Sequence, residues 1–230
     1  MRLWLSVFCG VLIWNSVVFA ETEKINLSTL IKQFNSVVFV HEHGKAGREA
    51  KPLVKWKGPI IYSPSGTLTR KQVDDFFKLM KRIRLLTKLN MRMAKKGDKA
   101  NLIINFMPKA ELAKKVKKGI NCYGTLTGSG KTFTIKHAKA YIPSDRPDKT
   151  THCLIEETVQ LFGLTNDSVV IKNSMFYEKS KRNSLSVSDQ ILLKALYDPR
   201  LRPGMTKEQA QPVLHVVLKE ILEKASKKKK

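Results

Sequence analysis

Glu156, Glu157, Gln160, Asn166 and Asp167 are the residues of this chain whose types and spacing could do chemistry. They lie in Glu156-Glu157-Thr158-Val159-Gln160-Leu161-Phe162-Gly163-Leu164-Thr165-Asn166-Asp167, an E-E-x-x-Q-x-x-G-x-x-N-D pattern. On a helix, positions 156 and 160 stand one turn apart on the same face, the spacing that lets two side chains grip one ion. Gly163 can take the left-handed backbone that ends a helix, so a residue near 166 can return as a third ligand. His152 lies one turn before Glu156 and extends the stripe to His152, Glu156 and Gln160. Glu156 would ligate well, whereas Gln160 and Asn166 offer only neutral amide oxygens, poor for zinc and better suited to calcium. Asp167 would add a second carboxylate, and Glu157 is the candidate catalytic base. Adjacent glutamates point about 100° apart on a helix, so spacing alone does not pair Glu156 with Glu157. A second reading needs no ion: Glu156, Gln160 and Asn166 hydrogen-bond one another and buried backbone, knitting a polar core.

These residues need a helix beneath them and a core to hold it. Thr150 or Thr151 is the expected N-cap of that helix, which runs to Phe162 before Gly163. Upstream, Val37-Val38-Phe39-Val40 reads as a strand ending in His41-Glu42-His43, whose alternate histidines could chelate a metal or simply form a polar loop. Val54-Lys55-Trp56 and Pro59-Ile60-Ile61-Tyr62 read as strands, with Ser63-Pro64-Ser65-Gly66 as a turn. Thr69-x-x-Gln72 is a capping box opening a helix whose Val73, Phe76, Phe77, Met80 and Ile83 form a buried face. Leu102–Phe106 is a buried-type strand, and Glu111–Lys118 a short basic helix. Gly124 to Thr132 tempts toward a nucleotide loop, but five residues separate Gly124 from Gly130 where the template has four. The following Phe133–Ile142 alternates like a strand, so the glycines mark a hairpin. Ser186-x-x-Asp189 and Thr206 cap two C-terminal helices, the first stopped by Pro199.

Residues 1–20 have the character of a secretory leader: Arg2, an apolar run from Leu3 to Val18, and Val18-Phe19-Ala20 before Glu21. The run is short for a membrane span and carries Asn15 and Ser16, so cleavage after Ala20 leaves no transmembrane helix. The expected location is periplasmic or secreted. Residues 21–50 read as an N-terminal extension, 51–222 as a single domain, and 223–230 as a basic disordered tail ending in Lys227–Lys230. Export leaves Cys122 and Cys153, an even pair that reads as a disulfide. The net charge of +24 makes anionic envelope components natural partners, or else merely keeps the surface soluble. The basic residues lack interleaved aromatics, which argues against a dedicated nucleic-acid module.

The glycine and second glutamate of the motif stand as in the metzincin signature H-E-x-x-H-x-x-G-x-x-H, with Glu156, Gln160 and Asn166 at the three histidine positions. Ser174-Met175-Phe176-Tyr177 resembles the methionine turn of those enzymes. The segment Leu185-Ser186-x-x-Asp189 with Leu196-Tyr197 is similar to their closing helix. Cys153–Ser168, Ser174-Met175-Phe176 and Leu196-Tyr197-Asp198-Pro199-Arg200-Leu201-Arg202-Pro203-Gly204-Met205 together resemble the bacterial exported family called domain of unknown function 2927, over roughly residues 50–220. The resemblances imply an α/β (α+β), zincin-like single domain with a mixed sheet, a long N-terminal helix, a motif helix and C-terminal helices. They imply a histidine-free peptidase-like cleft binding peptide or polymer. The alternatives are a hydrolase with unconventional zinc or calcium ligands, and a protein whose basic surface is the working part.

Overall fold

The computed structural model describes residues 25–40 and 50–227. The expected leader, the His41–His43 pair and Lys228–Lys230 lie outside them. The chain belongs to the α/β class, with a six-stranded, mostly parallel sheet and six helices.

The first helix corrects a sequence expectation. α1 spans Leu27–Val38, so Val37 and Val38 end a helix instead of starting a strand. Asn26 caps it by accepting from Thr29 N at 2.8 Å. Leu30, Phe34, Val37 and Val38 are fully buried. Their three- and four-residue spacing continues through the β-branched pair, and packing against the C-terminal helix overrides the local strand preference. Within the segment expected as an extension, Leu30, Phe34, Val37, Val38 and Phe39 join the hydrophobic core.

β1 (Lys55–Trp56) and β2 (Ile60–Gly66) follow. The expected turn at Ser63–Gly66 is strand, pairing in parallel with β4 (Leu102–Met107) through Gly66 opposite Phe106. Pro64 is tolerated because Ile60 N, on the same edge, donates to Asn90 beside β3 (Met91–Met93), and β3 ends opposite Tyr62. The donor that Pro64 lacks therefore faces no strand.

α2 (Arg70–Thr87) opens on the expected Thr69/Gln72 capping box and buries Phe76, Leu79, Met80 and Ile83, while Phe77 stays exposed. α3 (Lys109–Ala113) is shorter than the predicted 111–118 helix and starts earlier. The glycine-rich stretch forms β5 (Tyr123–Ser129), which folds back on β6 (Thr134–Pro143) as the expected hairpin. β6 carries β4 in parallel on one edge, with β1 beside its start, and β5 antiparallel on the other.

The motif helix α4 spans Pro147–Gln160 and begins three residues before the expected cap. Pro147 supplies the preset backbone angle of a first turn. Thr150 then lies inside, its hydroxyl donating to Pro143 O at 2.6 Å and Arg146 O at 2.8 Å. α5 (Val187–Leu196) has the Ser186/Asp189 capping box. α6 covers Lys207–Lys227, carrying helix well into the segment expected as a disordered tail. Among the described residues no helix is long and apolar enough to cross a membrane.

Candidate functional site

α4 and β5 form the two long walls of a groove of about 1080 Å³. The Cys122–Cys153 disulfide ties one wall to the other, with Cα atoms 5.8 Å apart. Gly124 allows the close approach: a β-carbon there would lie 3.0 Å from Leu161 Cδ2 and 3.2 Å from Glu157 Oε2. The helix places His152, Glu156 and Gln160 on its groove face, and Asn166 and Asp167 reach the same groove from the loop after Gly163. Gly163 has φ +105°, the left-handed turn expected of it.

Each of these residues is engaged, though not with the partners expected. His152 Nε2 lies 3.1 Å from Glu156 Oε2, and its Nδ1 lies 2.7 Å from Arg182 O. The hydrogen bond to Glu156 raises the imidazole pKa above its ordinary value against the opposing effect of burial. Protonated, the ring donates at both nitrogens. Gln160 Nε2 donates to Asp167 Oδ1 at 3.2 Å. Asn166, buried, donates to Val37 O at 3.3 Å and to Val40 O. It holds the loop to the C-terminal end of α1. The metal-free reading is met in part: Asn166 does bond buried backbone, while Glu156, Gln160 and Asn166 bond separate partners and not one another.

Glu156 and Glu157 do meet. Carboxylate oxygens of both, with Cys122 Sγ, lie within 4.8 Å of one another. The 100° separation at the backbone is closed by the length of two glutamate side chains. The sulfur, however, is bonded to Cys153 and carries no thiolate. Both ring nitrogens of His152 are occupied, so the donor set does not fit zinc. With Asn166 turned to α1 and the Gln160 amide nitrogen turned to Asp167, the oxygens that converge beside the disulfide are those of the Glu156 and Glu157 carboxylates.

Beneath the groove loop runs a buried network that sequence reading did not find. Ser168 Oγ donates to Gln33 Oε1 at 2.7 Å, and Gln33 Nε2 to Ser174 Oγ at 3.3 Å. Ser174 Oγ donates to Asp189 Oδ1 at 2.6 Å, and Met175 N to Asp189 Oδ2 at 2.9 Å. The capping carboxylate of α5 thus also fixes the turn that buries Met175 completely. Ser168 N donates to Phe176 O at 2.7 Å, fastening the Asn166–Asp167 loop to that turn. The capping box is legible in the sequence; the buried contact of Ser174 with Gln33, 141 positions away, follows no local pattern.

The Tyr197–Met205 segment is a latch on β1. Tyr197 donates through its hydroxyl to Phe162 O at 2.9 Å and accepts from Trp56 N at 3.2 Å. Gly204 N donates to Leu53 O at 2.8 Å, and Leu53 N to Met205 O at 2.9 Å. Lys55, 6% exposed, donates to Leu196 O at 2.9 Å and Asp198 O at 3.1 Å. Burial brings its pKa down to about 8, partly offset by the Asp198 carboxylate. The folded pKa lies below the unfolded one, so charging Lys55 opposes folding below about pH 8 and the penalty lifts as pH rises toward 10.5. Stability should therefore climb by roughly 3 kcal/mol between about pH 8 and 10.5, and Lys55→Met should remove that part of the rise. Urea unfolding of both proteins across this range checks it.

Fold and site together define an α/β protein with a helix-and-edge-strand groove whose polar floor is bonded internally. The chain belongs to the family described as "Protein of unknown function (DUF2927)", whose model matches residues 28–216. That match begins inside α1, in keeping with the helix's place in the core. No functionally curated protein matches the chain.

Proposed function

We propose that this is an exported, zincin-like protein of the bacterial envelope that binds an extended peptide in its groove without hydrolysing it. The frame is supported by the order of its elements after α1: two strands, long helix, strands with the short α3 among them, motif helix, the turn that buries Met175, closing helices. Export is supported by the leader-like first twenty residues and by the disulfide.

The observation that carries the binding mode is β5. It pairs with β6 on one edge, and among the described residues no strand covers the other. Its Tyr123, Gly124 and Leu126 line the groove opposite α4. An open strand edge beside a groove is the requirement for adding a peptide strand through main-chain hydrogen bonds. Five carboxylates, Asp148, Glu156, Glu157, Asp167 and Glu178, line the same groove against Lys51, Lys149 and Lys181, an acidic excess in a chain of +24 overall that favours a peptide bearing Lys or Arg.

Titration calorimetry with a basic, extended peptide tests this. The peptide should bind and be recovered uncut, and Glu156→Lys should weaken it more than about tenfold. Methylating alternate backbone nitrogens of the peptide should weaken it by a similar factor. Equal affinity for the methylated peptide would rule out strand addition.

A further inference from the structure

The outer face of α2 carries a feature that the groove does not use. Arg70, Lys71, Lys78, Lys81, Arg82, Arg84 and Lys88 are all exposed along it. Asp74 and Asp75 are its only acids, and Asp75 is paired with Lys71. Arg82 is held by Gln190. Among the described residues Lys78, Lys81, Arg84 and Lys88 are in no ion pair. At about 100° per residue, Arg84, Phe77, Lys88, Lys81, Leu85 and Lys78 share a sector of roughly 120° with Arg70 and the exposed Asp74, so the sector keeps five cations against one acid. Phe77 is 38% exposed and Leu85 62% exposed, and both sit within this cationic sector. The opposite face is fully accounted for by Phe76, Leu79, Met80 and Ile83 in the core.

We infer that the outer face of α2 docks on an anionic phospholipid surface. Lysine and arginine heads meet the lipid phosphates, and Phe77 and Leu85 enter the boundary with the acyl chains, as in helices that lie in the plane of a bilayer. A soluble polyanion would use the charges and leave the two apolar side chains unexplained. The helix is about 27 Å long, so both apolar residues and the cations between them can touch one flat surface together. This inference is independent of peptide binding in the groove.

Co-sedimentation of the exported protein with phosphatidylcholine vesicles containing about one-third phosphatidylglycerol tests it. Replacing Lys78, Lys81, Arg84 and Lys88 by Gln should weaken binding by about a hundredfold or more. The same change at Lys114, Lys115, Lys117 and Lys118, equally exposed and equal in charge, should cost less than about fivefold. Phe77→Ala with Leu85→Ala should weaken binding about tenfold, with unchanged melting of each variant confirming the fold. Equal losses for the two lysine sets would reduce the effect to net charge and overturn the inference. No loss on removing Phe77 and Leu85 would overturn the bilayer as the partner and leave a polyanion in its place.

Discussion

Asp189→Ala should destabilise the protein by roughly 3–5 kcal/mol, because three buried donors lose their acceptor at once. Ser174 Oγ, Met175 N and Ser186 N all donate to this carboxylate, the last at 2.7 Å. Asp189 is fully buried, so water does not replace what is lost. Asp189→Asn is the informative companion. Its amide oxygen can still accept from Met175 N and Ser186 N, so only the Ser174 hydroxyl loses its acceptor and the cost should stay near 1–2 kcal/mol. Denaturant unfolding of the two variants checks the difference. Equal costs would mean that the carboxylate charge at the start of α5, and not the hydrogen-bond pattern, holds the methionine turn.

Breaking Cys122–Cys153 by a double serine substitution should cost roughly 3–4 kcal/mol, the chain-entropy value for the 31-residue separation it spans. The consequence for the groove should exceed that for the fold. β5 sits at the sheet edge and is otherwise held to α4 by packing around Gly124 and Leu161. Hydrogen exchange in the serine variant should rise in β5 well above its rise in β4, which is paired on both sides. Peptide affinity should fall with it, since a loosened edge strand must be ordered again on binding.

How much of this was readable in the chain depended on the range of the interactions involved. The capping boxes at Thr69/Gln72 and Ser186/Asp189 are four-residue patterns and were read directly. The glycines of Gly124–Thr132 read as a hairpin turn, and the hairpin is present because turn and alternation are both local. Gly124 to Ser129, however, belong to its first strand, and only residues 130–133 turn. In Val37-Val38-Phe39-Val40 the β-branched residues favour strand on their own, but burial against α6, far away in the chain, makes Val37 and Val38 the end of α1, and Val40 keeps only an isolated bridge to Ala50. Ser63–Gly66 carried turn letters that parallel pairing with β4 overrode. The site divided in the same way. The His152, Glu156, Gln160 stripe follows from helical periodicity and stands as expected. The partner of Asn166 depends on where α1 ends, so a chain read with a strand there could not supply it.

We propose that the residues at the metal-ligand positions hold the groove together and do not carry a catalytic ion. Elemental analysis of the protein, purified without a histidine tag, tests this most directly. The expected result is zinc and calcium well below one ion per chain, unchanged in Glu156→Ala. One ion per chain, lost in that variant, would contradict the claim and restore the groove as a metal-dependent active site.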